Sequence, residues 1–315
     1  MLKRFFKPLY LCVFIAIVFL SLLIVSPQKC KDGTAYGIML SGSVIIPSFL
    51  PFTVCVLFIL RTGILDKTRL NDKFAVMIMS FIGGYPLGAK TVNEMYRQNR
   101  INEKDAGLML CYCVNAGPSF IISAVGAGML NSKEVGYILL ISHITASLIT
   151  AFIIKIFFGT KEKNKKDRSN SLPVLSDIFV SSVAEGASAV FSICTFVVLF
   201  CAINSYILSF AQKFHTIKYL VFVTEVTTAT AYTKNIYLIS FLLCFGGLCI
   251  WCQVFSCFAN TKVKMLPFII SRFFNGLLSC VIVYIIVKIT NVSLPTISNS
   301  FNFSKKLSFS SLELS

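Results

Sequence analysis

The chain has 315 residues, 56% of them hydrophobic and only 13% charged, and its mean hydropathy is +0.80. Those values lie outside the range of soluble globular domains and indicate an integral membrane protein. A formal charge of +16 would suit a nucleic-acid binder. However, the Lys and Arg residues sit in short loops between apolar segments rather than along one helix face, so nucleic acid is excluded and the basic loops read as topology determinants and contacts for anionic lipid.

Lys3, Arg4 and Lys7 precede an apolar run from about Leu9 to Val25. Its apolar part is long for a signal peptide and no small-x-small cleavage site precedes Ser26, so residues 1–32 are expected to hold an uncleaved N-terminal transmembrane helix. A second segment, Tyr36 to Leu60, carries Pro47 and Pro51 and is expected to be kinked or interfacial in its first part. Arg61, Lys67, Arg69 and Lys73 then mark a cytoplasmic loop.

The next stretch organises the chain. An apolar run from Phe74 to Ile82 collides with Gly83-Gly84-Tyr85-Pro86-Leu87-Gly88 and ends on Lys90. Nine residues, eight of them apolar, at about 1.5 Å each cover only about half of a ~30 Å hydrocarbon core before the helix must stop. Lipid cannot satisfy the N–H and C=O groups freed there, so such a break persists only where it is packed in protein or lines a cavity. A packing kink, or a short surface helix that never enters the bilayer, is the plainer alternative. The string falls one residue short of a phosphate-binding loop: Ala89 spoils the spacing, and Pro86 lacks a needed N–H. After the polar connector 93–105, a second run is interrupted at Asn115-Ala116-Gly117-Pro118, with Pro118 suited to the first turn of a new half-helix. Gly136 to Phe158 is an uninterrupted span whose polar residue of note is His143. The linker 161–173 carries Lys161, Lys163, Lys165, Lys166 and Arg168 and reads as a cytoplasmic joint.

The second half repeats the order. Val183 to Leu208 is a span, Tyr219 to Ala231 is broken at Thr224-Glu225-Val226-Thr227-Thr228, Ile236 to Phe258 is broken at Gly246-Gly247, and Leu266 to Ile289 is a final span. Laying residue 115 onto 244 without gaps matches Gly117 with Gly246, Asn131 with Asn260, Lys133 with Lys262, Ser142 with Ser271 and Leu148 with Leu277. The expected fold is therefore an all-α polytopic membrane protein of two inverted repeats (33–160 and 174–290), each with two full spans and two broken or re-entrant helices, plus the N-terminal helix. If the first broken element of each half enters and leaves on the same side, each half crosses three times, which keeps the linker inside and leaves Lys213 and Lys218 outside. Residues 291–315, rich in Ser and Asn, are expected to be disordered. Most of the twelve cysteines lie in apolar runs, with Cys30 as the clear loop cysteine. No disulfide framework follows, and Cys249-Ile250-Trp251-Cys252 lacks the His or acidic neighbours of a redox pair.

Several strings carry a resemblance: Pro47-Ser48-Phe49-Leu50-Pro51-Phe52, Gly83 to Lys90, Asn115 to Ile122, Glu225-Val226-Thr227, and Ser240-Phe241 through Gly246-Gly247 to Gln253. With them the chain resembles the YlbJ (SpoVV) family of sporulation integral membrane proteins, which carry the nucleoside-recognition or gate domain related to concentrative nucleoside transporters. The resemblance covers roughly residues 35–290 and implies the forespore membrane and uptake of dipicolinic acid. It departs at Thr228-Ala229-Thr230, where a glycine is expected, and the gate name by itself implies no nucleoside chemistry.

The expected activity is secondary transport of a small anion, since half-helix N-termini offer free N–H groups and partial positive charge. The candidate binding residues are Gly83, Gly84, Tyr85, Gly88, Lys90, Asn115, Gly117, Ser119, Thr227, Gly246, Gly247 and Gln253. Lys90 adds a full charge at a cost of about 2.5–3.5 kcal/mol near mid-bilayer, unless it snorkels. Glu225 is the candidate ligand of a coupling H+ or Na+, with pairing to a lysine as the alternative. A nucleoside-type transporter and a non-transporting structural or signalling protein of the sporulating envelope stand as the other readings. His143 and His215 lie far apart, and no metal-spaced cluster or paired carboxylates occur, so neither an enzyme nor a metal or other cofactor is expected. Oligomerisation is left open by the sequence.

Overall fold

The computed structural model describes residues 8–62, 72–159, 174–212 and 214–292. Among these every regular element is helical. The basic linker and the C-terminal tail beyond Val292, together with Lys3, Arg4, Lys7, Lys67, Arg69 and Lys213, lie outside the described residues. Five helices among them are long and apolar enough to cross a membrane: Pro27–Ile59, Lys133–Phe158, Leu175–Ala211, Ile236–Cys257 and Leu266–Thr290. The protein is a multi-pass membrane protein.

Helix α1 (Pro8–Val25) is followed at once by α2 (Pro27–Leu40), a π-helical turn (Ser41–Ile45) and α3 (Ile46–Arg61), which form one continuous rod. Two expectations change here. The irregularity is a π-helical turn just ahead of Pro47, with the Ile46 N–H bonded to Ser41 O, and Pro51 is accommodated inside α3. Cys30 stands in α2 and not in a loop, because the polar run Gln28 to Asp32 is the first turn of a helix whose Gln28 amide bonds Asp32 at 2.9 Å.

The next elements are interrupted: α4 (Asp72–Gly83) and α5 (Tyr85–Arg97), then α6 (Glu103–Cys113) and a π-helical segment (Phe120–Met129). Asn102 opens α6 by accepting the Asp105 N–H at 2.7 Å, with Glu103 and Asp105 in its first turn. Asp105 also pairs with Lys73 at 3.1 Å and so ties α4 to α6. The long α7 (Lys133–Phe158) is capped by Ser132 and ends at Gly159, whose φ is +42°. In the second half come α8 (Leu175–Ala211), a 3-10 turn (His215–Leu220), the short α9 (Val221–Thr224) and α10 (Val226–Ala231), then α11 (Ile236–Phe245), α12 (Gly247–Cys257) and α13 (Leu266–Thr290).

Two close packings order the bundle. Gly33 lies against Cys201 and Ala202, Gly37 against Val198, and Val54 against Gly186, so the α2–α3 rod and α8 run antiparallel. Ser142 meets Ser279 at 3.3 Å and Thr150 bonds Asn275, so α7 and α13 are antiparallel too. In each case the glycines or small hydroxyls let backbones approach where lipid gives helices no hydrophobic reason to associate. The lipid-side faces carry exposed Phe152, Phe157, Phe191, Leu277 and Ile289. The same close approach recurs at Gly88, where an added Cβ would lie 1.7 Å from the Cys113 carbonyl oxygen. Gly88→Ala is expected to cost about 1–3 kcal/mol, seen as a lowered melting temperature of the detergent-solubilised protein. Gly42→Ala, with nothing within 4 Å of an added Cβ, should leave the melting temperature unchanged or raise it.

Candidate functional site

The four interruptions have distinct backbone causes and meet at one place. At the first, Gly84 has φ +81° and ψ −176°, a conformation only glycine adopts without strain, and α5 restarts with a proline in its opening turn. The second is the non-helical link Val114-Asn115-Ala116-Gly117 ahead of Pro118. An added Cβ on Gly84 would lie 2.5 Å from the Phe49 ring and 3.4 Å from the Gly117 nitrogen, so these two breaks touch. At the third, Glu225 is extended (φ −148°, ψ 127°), and its carboxylate accepts the N–H groups of Thr227 at 2.7 Å and Thr228 at 2.6 Å. At the fourth, Gly246 and Gly247 have φ of +78° and +77°, and Gly247 sits against the Thr224 carbonyl.

Three side chains join the first pair of breaks to the fourth. The Tyr85 hydroxyl donates to Leu243 O. His143 Nε2 accepts the Ala116 N–H at 3.0 Å, so in the neutral imidazole the proton is on Nδ1, which faces Cys244 Sγ at 3.1 Å. Arg272, 1% exposed, donates to Val114 O at 2.5 Å, to Cys111 O and, at 3.5 Å, to Cys244 O, over the Phe268 ring at 5.1 Å. These carbonyls are the negative ends of α6 and α11. No carboxylate pairs with Arg272 among the described residues, and its Nε has no hydrogen-bond partner there.

The end of α11 illustrates how completely the exposed backbone is satisfied. Its last carbonyls are taken by Gly246 N at 2.8 Å, the Tyr85 hydroxyl, Arg272 and, at 2.9 Å, the Trp251 indole N–H. Asn115 is pinned likewise: its amide donates to Tyr112 O at 2.7 Å and Ser80 Oγ at 3.1 Å, and its oxygen accepts from Ser147 Oγ at 2.5 Å.

The expected residues divide into three groups. Gly83, Gly84, Tyr85, Gly88, Asn115 and Gly117 gather at the first two breaks, and Glu225, Thr227, Gly246 and Gly247 at the other two. Lys90 and Gln253 stand away from the breaks. Each lies six residues, about 9 Å, along the following half-helix, and α5 and α12 pack on each other. Lys90 is half-buried and forms no ion pair among the described residues, whereas Gln253 is buried, with its amide 3.4 Å from Cys249 Sγ. Ser119 is half-buried at the start of the π-helical segment and caps nothing. Among the described residues Glu225 finds its partners in backbone N–H groups, not in a lysine.

Sequence reasoning missed Arg272, Ser80 and Ser147. A guanidinium seven residues into the 25-residue apolar α13 was the available signal, since a charge at that depth marks either function or a specific partner. Arg272→Ala would strand the buried carbonyls of two helix ends, at about 1–3 kcal/mol for each group left unsatisfied, read as loss of monodisperse protein in mild detergent. Arg272→Lys should restore it only in part, because one ammonium cannot fork across both ends.

No protein-family model matches the chain, and no solved structure matches it. It is 21% identical over 332 residues, covering 86% of this chain and 81% of the relative, to the sporulation integral membrane protein YlbJ of Bacillus subtilis strain 168. The chain is thus a multi-pass integral membrane protein with similarity to YlbJ over most of its length.

Proposed function

We propose that the protein is a secondary transporter for a small anionic solute, with dipicolinate during sporulation as the solute that the YlbJ likeness suggests. The observation that carries this reading is the meeting of four helix breaks around buried, internally held charges. Discontinuous helices that converge inside a bundle are costly in lipid, and transporters use them to present half-helix ends to solutes and ions. Partnerless polar atoms add to it: among the described residues Asn204 Nδ2, Gln253 Oε1 and Arg272 Nε are buried with no hydrogen bond. Such groups cost free energy unless a ligand or another state uses them.

Two halves of opposite direction fit the same reading. The proposed equivalents α7 and α13 are antiparallel, as are the α2–α3 rod and α8. At the 129-residue offset that lays 115 onto 244, His143 matches Arg272, and both side chains bind backbone of the Val114 to Gly117 break. In this arrangement one half would rock against the other about the shared breaks. Glu225, on the N-terminus of α10, is the candidate coupling-ion residue, and Lys90 supplies charge along α5. A non-transporting envelope protein is the second reading, favoured by the tight closure of Gly84 against Phe49 and Gly117.

Reconstitution separates the two. Liposomes carrying the purified protein should take up radiolabelled dipicolinate saturably and in preference to nucleosides, whereas equal leak with and without protein would support the sealed envelope protein. Lys90→Ala should abolish uptake at unchanged membrane abundance and Lys90→Arg should recover little. Unaltered uptake by Lys90→Ala would remove Lys90 from the route.

A further inference from the structure

A cleft of about 700 Å³ lies between α1, the α2–α3 rod and α8, and none of its lining residues belongs to the four breaks. One wall is formed by every fourth residue from Cys30 to Leu50, the other by α8 from Ala187 to Ala202, with Phe19 and Leu23 closing it. At about 1.5 Å per residue the first wall is some 30 Å long, the depth of a hydrocarbon core. The few polar groups on the walls are already engaged. Ser41 bonds Gly37 O at 2.8 Å, Thr195 bonds Ser192 O at 2.8 Å, and Cys30 and Thr34 face each other at 3.8 Å. The cleft therefore offers dispersion contacts and no unmet hydrogen bond, which suits a hydrocarbon chain and not a hydrated solute.

Its width has a specific origin. Gly33 and Gly37 press α2 onto α8, with added Cβ atoms 2.6–2.7 Å from the α8 backbone, whereas Gly42, in the π-helical turn, has nothing within 4 Å. The π-helical turn thus places a residue without a side chain midway along the wall. The charge at one end matches a lipid as well. Lys29 and Lys31 are exposed on either side of Cys30, and the neighbouring Asp32 is occupied by Gln28.

We propose that this cleft holds one acyl chain of an anionic phospholipid, with its phosphate at Lys29 and Lys31. The test is native mass spectrometry of the full-length protein titrated with palmitoyl-oleoyl phosphatidylglycerol or the matching phosphatidylcholine. Wild type should retain one phosphatidylglycerol preferentially. Gly42→Phe, at a position where an added Cβ meets nothing within 4 Å, places a ring in the cleft and should weaken retention about tenfold. Lys29→Gln with Lys31→Gln should bring the two lipids to parity. If Gly42→Phe is not monodisperse, Ala187→Phe fills the cleft from the facing wall. Unchanged retention in the filled variants, equal retention of both lipids by wild type, or a dimer that the filled variants dissociate would each overturn the proposal.

Discussion

The structure depends on how a single buried guanidinium is held. Arg272 reaches from α13 to the carbonyl ends of α6 and α11, two half-helices from different halves of the chain. Each helix end leaves carbonyls unbonded, and in a bundle surrounded by lipid no water stands ready to take them. A guanidinium has five N–H donors in a planar fork and keeps its charge, so it can serve several carbonyls at once and is itself favoured by the negative ends of two helix dipoles. The cation and the broken helices therefore stabilise each other.

The same logic orders the other breaks. Glu225 satisfies the first N–H groups of α10, His143 binds the Ala116 N–H, and Tyr85 takes the Leu243 carbonyl. Negative charge sits at a helix start and positive charge at two helix ends, as the dipoles require. The ionic groups are thus held by backbone, not by each other. A bundle so built can lodge charge near its centre without an ion pair, and a shift of one half-helix against another would change which donors are engaged. That is the physical basis for reading the centre as a solute or ion route.

The interruptions were legible because glycine and proline punctuate local structure directly: Gly84, Gly117 and Gly246 each announce a backbone that a helix cannot continue through. The third break falls in the expected string Thr224 to Thr228, but the N-cap role of Glu225 there is one that the structure adds. Arg272 was passed over because α13 is otherwise a continuous apolar span, and its partners, Cys111 and Val114, lie about 160 residues away in sequence. The π-helical geometry at Ser41–Ile45 and Phe120–Met129 left no sequence mark, since it redistributes helix hydrogen bonds without demanding a special residue. Lys90 was legible as a charge but not in its position, because the break fixes where α5 begins and only the packing of α5 on α12 fixes where Lys90 faces.

In the proposed arrangement, two oppositely directed halves enclose these breaks. The most direct measurement is the sidedness of Asn131 and Asn260, which match in the repeat, are exposed, and precede the antiparallel α7 and α13. Single cysteines introduced at each would be probed with a membrane-impermeant thiol reagent in sealed, oriented vesicles. With inverted halves, the two sites should react from opposite sides of the membrane. Reaction of both from the same side would contradict it.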